Sequence, residues 1–152
     1  LTPLEPVALA NPRQGIPFHA YEGEWERLPD FSALTPAAEG VAHRVHDNVW
    51  PRDVNYALHF SGYFKAERDG VYTFTIGSND GSRLTIGSTV IDNDGLHALE
   101  EQSAHVALRA GFHPLAVEYF QAGGTKDLYV RYDAPGIRNR PIPMSAYYHE
   151  AG

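Results

Sequence analysis

Val71-Tyr-Thr-Phe-Thr-Ile-Gly-Ser-Asn-Asp-Gly-Ser-Arg-Leu-Thr-Ile-Gly-Ser-Thr-Val-Ile-Asp-Asn-Asp-Gly-Leu-His97 is the stretch that decides the fold. Short runs of alternating polar and apolar residues are cut by Gly-Ser, Asn-Asp-Gly, Gly-Ser-Thr and a second Asn-Asp-Gly. Alternation places the apolar side chains on one face of an extended chain, and the small polar residues between runs permit tight reversals. The stretch therefore predicts a meander of antiparallel strands. Its first tip gathers Ser78, Asn79, Asp80, Gly81 and Ser82, whose side-chain oxygens can accept hydrogen bonds from sugar hydroxyls or hold a hard cation. The same residues are good turn formers in their own right.

Outward from the meander, more strands follow. Val54 to Lys65 puts Val54, Tyr56, Leu58, Phe60, Gly62 and Phe64 on one face, the pattern of a strand laid on a core. Asp69-Gly70 turns the chain into Val71 to Ile76. Arg83 to Ile86 and Thr89 to Asp92 form a hairpin across Gly87-Ser88, with Arg83 placed to pair with Asp92. Ala104 to Arg109 is followed by His113 to Gln121, which is apolar on both faces and so belongs in the middle of a sheet. Asp127 to Tyr132 closes the series after the Gly-Gly loop. Phe18 to Trp25 alternates weakly as a first strand. Leu28 to Val49 reads as irregular, with at most one helical turn, and Leu96 to Ser103 as a short helix or a loop. Eight or nine short strands without sustained helical period make an all-β antiparallel sandwich the expected fold.

At 152 residues the chain fits one domain, which should bury about 70% of the surface its unfolded form exposes. Residues 18–149 are expected to form that domain. Residues 1–17, with Pro3, Pro6, Pro12 and Pro17, read as a linker or a laid-down arm, because proline denies them helix and central strand. The start at Leu1 suggests a module cut from a larger polypeptide. Twelve basic residues against nineteen acidic ones give a net charge of −7, and no run of Lys or Arg interrupts the balance. That argues against nucleic acid and anionic membrane as partners. The apolar runs are too short for membrane insertion by a helix. Without cysteine, neither a disulfide framework nor a cysteine metal site is available.

Catalytic signatures are missing. There is no G-x-S-x-G and no Gly-rich phosphate loop. Glu22/Glu24 and Glu100/Glu101 are near neighbours on one segment each and do not face each other across a cleft, as glycosidase carboxylates must. The chain is therefore not expected to be an enzyme. Among eight histidines none lies in H-E-x-x-H, and the closest pair, His43 and His46, has no third ligand nearby. Trp25, Trp50, Tyr21, Tyr147 and Tyr148 offer flat apolar faces for sugar rings, though aromatic residues in a sandwich commonly serve packing. Asp92, Asn93, Asp94, Gly95 and His97 make a second polar turn without the distal Glu of an EF-hand loop, and no register argument brings it to the first tip.

Tyr56-Ala-Leu-His-Phe-Ser-Gly-Tyr-Phe64, Asp69-Gly-Val-Tyr-Thr-Phe-Thr-Ile76, Ser78-Asn-Asp-Gly-Ser-Arg-Leu84, Val90-Ile-Asp-Asn-Asp-Gly-Leu-His97, Leu108-Arg-Ala-Gly-Phe-His-Pro114 and Val117-Glu-Tyr-Phe120 together resemble the PA14 domain, a β-sandwich module of secreted glycosidases, adhesins and toxins. The resemblance implies a non-catalytic accessory module, carbohydrate-binding or enzyme-positioning, in a larger secreted, periplasmic or cell-surface bacterial protein such as a glycoside hydrolase. Its partners would be a glycan and the neighbouring domains of the parent. In sugar-binding members two aspartates joined by a cis peptide hold calcium, which holds vicinal sugar hydroxyls. Asn79-Asp80 stands at that place here. Gln121 stands where the family has an Asn, and carbonyls near Gly123 and Thr125 complete the set. The implied carbohydrate site is thus Asn79, Asp80, Gln121, Gly123 and Thr125, with Asp80, Asn79 and Gln121 as calcium ligands bringing one formal negative charge. The alternative is a structural module that packs on its parent without binding a ligand.

Overall fold

The computed structural model describes residues 1–152 as twelve strands and three single helical turns. Strands are β1 (Pro12–Gln14), β2 (Ile16–Glu22), β3 (Ala38–Ala42), β4 (Tyr56–Ala66), β5 (Gly70–Asn79), β6 (Ser82–Ile86), β7 (Thr89–Asn93), β8 (Glu100–Leu108), β9 (Gly111–Gln121), β10 (Asp127–Ala134), β11 (Ile137–Pro141) and β12 (Tyr147–Glu150). They form two antiparallel sheets. The larger runs β1-β12-β4-β9-β6-β7, with β2 paired to β4 and β3 to β2; the smaller runs β11-β10-β5-β8.

The period-two pattern explains the long strands. In β5, Tyr72, Phe74 and Ile76 are buried while Val71 faces solvent; in β4, Tyr56, Leu58, Phe60 and Phe64 are buried. Val54, expected to open that strand, precedes it and is largely exposed. β9 lies between β4 and β6, pairing with β4 from Tyr56↔Gln121 to Ala66↔Gly111. Its central position agrees with its apolar composition on both faces. Phe60, Phe64, Leu84, Leu115 and Val117 from one sheet meet Phe74, Ile76, Val106, Leu128 and Val130 from the other in the main core. Phe64 also makes edge contacts with Tyr72, Phe74 and Tyr132.

Three segments differ from the sequence expectation. Leu28 to Val49 contains β3, whose residues are mostly exposed and carry no apolar alternation; its partner β2 supplies the reason for it to be a strand. Glu100–Leu108 is an edge strand on β5, so Leu96 to Ser103 holds no helix, and its exposed Glu100-Glu101-Gln102 half is held by backbone pairing and not by an apolar face. The tail supplies β11 and β12, with Pro135 and Pro143 outside the strands and Pro141 closing β11. At the other terminus, Ile16 is fully buried, and the Leu4 and Val7 amides donate to the carbonyls of Ala107 (2.9 Å) and Phe112 (2.8 Å). A second, smaller apolar cluster of Tyr21, Phe31, Ala57 and Phe120 lies on the outer face of the large sheet, under Trp25, Leu28 and Leu34.

The connections position the candidate site. β5 to β6, β7 to β8 and β9 to β10 each cross from one sheet to the other. All three crossings fall at the same end of the sandwich, because β5, β7 and β9 all finish there.

Candidate functional site

β5 continues beyond Ile76 to Asn79, held on one side by Asn79↔Asp127 and on the other by Ser78↔Glu100. The chain then leaves the small sheet. The peptide between Asn79 and Asp80 is cis. The Asp80 amide donates to the Phe120 carbonyl (3.2 Å), and the Phe120 amide to the Gly81 carbonyl (3.0 Å), so β9 clamps the tip. Glycine is required at 81: a Cβ there would stand 2.5 Å from the Phe120 ring and 2.7 Å from the Gly95 nitrogen.

Asp80 is the centre of the arrangement, with 7% of its surface exposed. Its Oδ1 accepts from the His97 amide (3.2 Å); its Oδ2 accepts from the Ala122 (2.8 Å) and Gly123 (3.2 Å) amides. A buried carboxylate needs such donors to offset the loss of water. These donors come from the other two crossings, so one side chain joins all three connections. The His97 ring is held toward its charged form. Its Nε2 and Nδ1 face the carbonyls of Asn93 and Ala98, both at 2.7 Å. A carbonyl only accepts, so this geometry favours the ring with both nitrogens protonated. Burial opposes the charge, but the two carbonyls, Glu100 and Asp80 outweigh it and hold the His97 pKa above its usual value.

The polar turn 92–95 belongs to this site, contrary to the sequence expectation that kept it apart. Asn93 is buried, and its Nδ2 donates to the Glu100 carbonyl (2.9 Å) and to the Ser78 and Ser82 hydroxyls (3.3 Å each). Ser78 donates to the Asp80 carbonyl at 2.7 Å and shares a hydrogen bond with Ser82 at 2.6 Å. Arg83 approaches Asp92 (3.7 Å), as its place in the hairpin predicts, and also Asp94 (3.8 Å) and Glu118 (3.1 Å). The register missing from the sequence is Ser82↔Asn93, which follows once β6 and β7 are paired.

Asn79 and Gln121 converge on Gly124. A Cβ on Gly124 would lie 3.3 Å from Asn79 Nδ2, and Gln121 Nε2 donates to the Gly124 carbonyl at 3.0 Å. That bond fixes which way the Gln121 amide points. Its Oε1 is buried without a partner, as is Asn79 Oδ1 and the hydroxyl of Tyr56, whose backbone is paired with Gln121. The Tyr119 hydroxyl donates to the Asn79 carbonyl at 2.7 Å. Burial in this neighbourhood pushes the Tyr56 and Tyr119 hydroxyls well above the usual phenol range. Gly123 faces Asp80 with its amide, and Thr125 is exposed at the loop tip.

Buried oxygens without donors are what a hard cation requires. In donor type Asn79, Gln121 and Asp80 fit calcium. In charge they supply a single carboxylate, and three of its roughly four acceptor positions already hold N–H groups.

The remaining sequence candidates have local uses. His46 Nδ1 accepts from the Asn48 amide (2.9 Å), capping the turn Asp47–Val49. Glu22 pairs with Arg52 at 3.0 Å, and Glu101 accepts from the Tyr129 hydroxyl. Tyr21 and Tyr147 are buried, and Tyr148 packs edge-on against Phe112.

The family model of the PA14 domain matches residues 51–145, more than half of the chain. The chain belongs to the PA14 family. Its sandwich is shared by solved structures of low sequence identity. An anti-sigma factor domain-containing protein superimposes with a TM-score of 0.77 at 19% identity, covering 92% of this chain and 50% of its own. This PA14 domain thus spans half the length of that protein. A PA14 sugar-binding domain from an RTX adhesin gives 0.73 at 13% identity, covering 90% and 98%. A subtype-switched epithelial adhesin A domain from Candida glabrata, in complex with β-lactose, gives 0.75 at 12% identity, covering 98% and 95%. No curated protein matches the sequence.

Proposed function

We propose that this PA14 domain is a non-catalytic glycan-binding module of a secreted, periplasmic or cell-surface protein, with a carbohydrate-active enzyme as its parent. The observation that carries the reading is the pair of buried, unpartnered oxygens, Asn79 Oδ1 and Gln121 Oε1, beside the buried carboxylate of Asp80. Such oxygens cost free energy in the free domain and are relieved by a ligand that donates to them or coordinates them. Calcium, when bound by Asn79, Asp80 and Gln121, would hold vicinal sugar hydroxyls. Asp80 keeps the three crossings in register, and Gln121, through Gly124, sets the height of the loop 122–126. The sugar-binding adhesin domains of the same fold support this reading.

Affinity electrophoresis on a broad panel of polysaccharides, with and without a chelator, tests it. Binding is expected, weakened by chelator and abolished by Asp80→Ala. Asn79→Asp, which adds a second carboxylate, should strengthen the calcium dependence. Retention by none of the glycans, with or without calcium, would refute the reading.

One observation favours a second reading. The Asp80 carboxylate is already satisfied by backbone amides, as a purely structural staple would be. On that reading the domain positions its parent by packing alone. Asp80→Asn would then lower stability while calcium and glycans left the melting temperature of the unmodified domain unchanged.

A further inference from the structure

Beside the Asp80 site lies a cavity of about 600 Å³, against about 350 Å³ for a second cavity around Phe18 and His43. Its volume falls within the roughly 300–1,000 Å³ typical of small-molecule sites. Trp25, Leu28, Asn55, Leu96 and Ala122 line it. Two of them join it to the first site through their backbone amides, Ala122 to Asp80 Oδ2 at 2.8 Å and Asn55 to the Gln121 carbonyl at 2.7 Å, while Trp25, Leu28 and Leu96 make no hydrogen bond to Asn79, Asp80 or Gln121. The cavity therefore begins where the first site ends.

Its walls are fastened to that site. The Gly23 amide donates to the Asn55 carbonyl (3.0 Å), and the Asn55 amide to the Gln121 carbonyl (2.7 Å). At the other end the Leu28 amide donates to Asp94 Oδ1 at 2.8 Å, the same oxygen that accepts from Gly95. The segment carrying Trp25 is thus held at both ends by the elements that surround Asp80. The indole lies over Gly23, where a Cβ would stand 2.8 Å from Cζ2, and packs on the small apolar cluster of the outer sheet face. It is neither fully buried nor free to swing. Across from it Leu96 is 52% exposed, an apolar side chain that the fold leaves uncovered.

From this geometry, and resting on the glycan-binding reading above, we infer that the cavity is an extension subsite for the second and later units of an oligosaccharide, with the Trp25 indole as the platform. A pyranose ring offers an apolar C–H face that suits a flat, rigid aromatic surface, and Asn55 offers a polar edge. Glu24, Glu26 and Arg27 also line the cavity and leave it one unit negative. The subsite therefore takes neutral or amino-substituted sugars and rejects uronic and sulfated ones.

Microcalorimetry of the intact domain with neutral saccharides of one to six units, and with uronic counterparts, tests the subsite. Affinity is expected to rise with length beyond one unit for the neutral series only. Trp25→Ala should remove that rise, about tenfold in dissociation constant, and leave the monosaccharide unchanged; Trp25→Phe should restore most of it. Leu96→Glu, at an exposed position that does not endanger folding, should weaken the longer saccharides alone. Binding of the monosaccharide with no gain on lengthening, or a gain untouched by both Trp25→Ala and Leu96→Glu, overturns the subsite and leaves the first site standing. Binding of no saccharide of any length overturns both.

Discussion

The β5–β6–β7 meander has two tips of similar composition, Asn79-Asp80-Gly81 and Gly87-Ser88, and they have become different objects. Gly87-Ser88 reverses the chain within one sheet. The ladder continues to Ile86↔Thr89, Gly87 takes the left-handed conformation at φ +58°, and Ser88 is exposed. Asn79-Asp80-Gly81 carries the chain from one sheet to the other. There the ladder stops, backbone polar groups are buried, and each needs a partner from elsewhere. Ser78, Asp80, Ser82 and Asn93 are buried to provide them. A reversal within a sheet satisfies itself, whereas a crossing between sheets must recruit side chains and neighbouring loops. Recruitment is what makes a potential site.

The contrast can be broken by mutation. The largest effect is expected for Asp80→Ala, which leaves three amides without acceptors; at about 1 kcal/mol or more each, denaturant unfolding should show a loss of roughly 3 kcal/mol, and the melting temperature should fall by about 6–12 °C. Asn93→Ala removes one buried donor group shared by Ser78, Ser82 and the Glu100 carbonyl, and should cost about 2 kcal/mol by the same measurement. His97 gives a smaller, pH-dependent effect. Its pKa is raised in the folded state, so its contribution is complete below the unfolded value of about 6.5 and is lost as pH rises through the folded value. Stability should therefore decline from mildly acidic to mildly alkaline pH, and His97→Gln should flatten that part of the profile. Ser88→Ala at the other tip should change stability by less than about 0.5 kcal/mol. An Asp80→Ala effect as small as that of Ser88→Ala would end the comparison.

The strands that were legible are those with one face on the core. Tyr56-Leu58-Phe60, Tyr72-Phe74-Ile76 and Leu115-Val117-Tyr119 alternate because one sheet face meets the other sheet. Strands at edges were not legible. Glu100 to Ser103 and Ala38 to Ala42 carry few apolar residues, and what makes them strands is a neighbour's row of backbone groups. The tail strand Tyr147–Glu150 was hidden similarly, between β1 and β4 at the end of a proline-rich stretch. In the site, residue chemistry and the family resemblance picked out Asn79, Asp80 and Gln121. They did not bring in Asn93 and His97, because local spacing carries no information about which turns share an end of the sandwich.

By itself, then, the sequence determined the all-β class, the long central strands and the chemical type of the tip, since alternation, turn residues and side-chain oxygens are local properties of the chain. Only the tertiary structure decided that three crossings meet at Asp80, that Asn79 and Gln121 keep two buried oxygens without donors, and that a tryptophan more than fifty residues upstream shares a cavity with Ala122 beside them. Those are facts of register and of which connections change sheets, and they exist only once distant strands have paired.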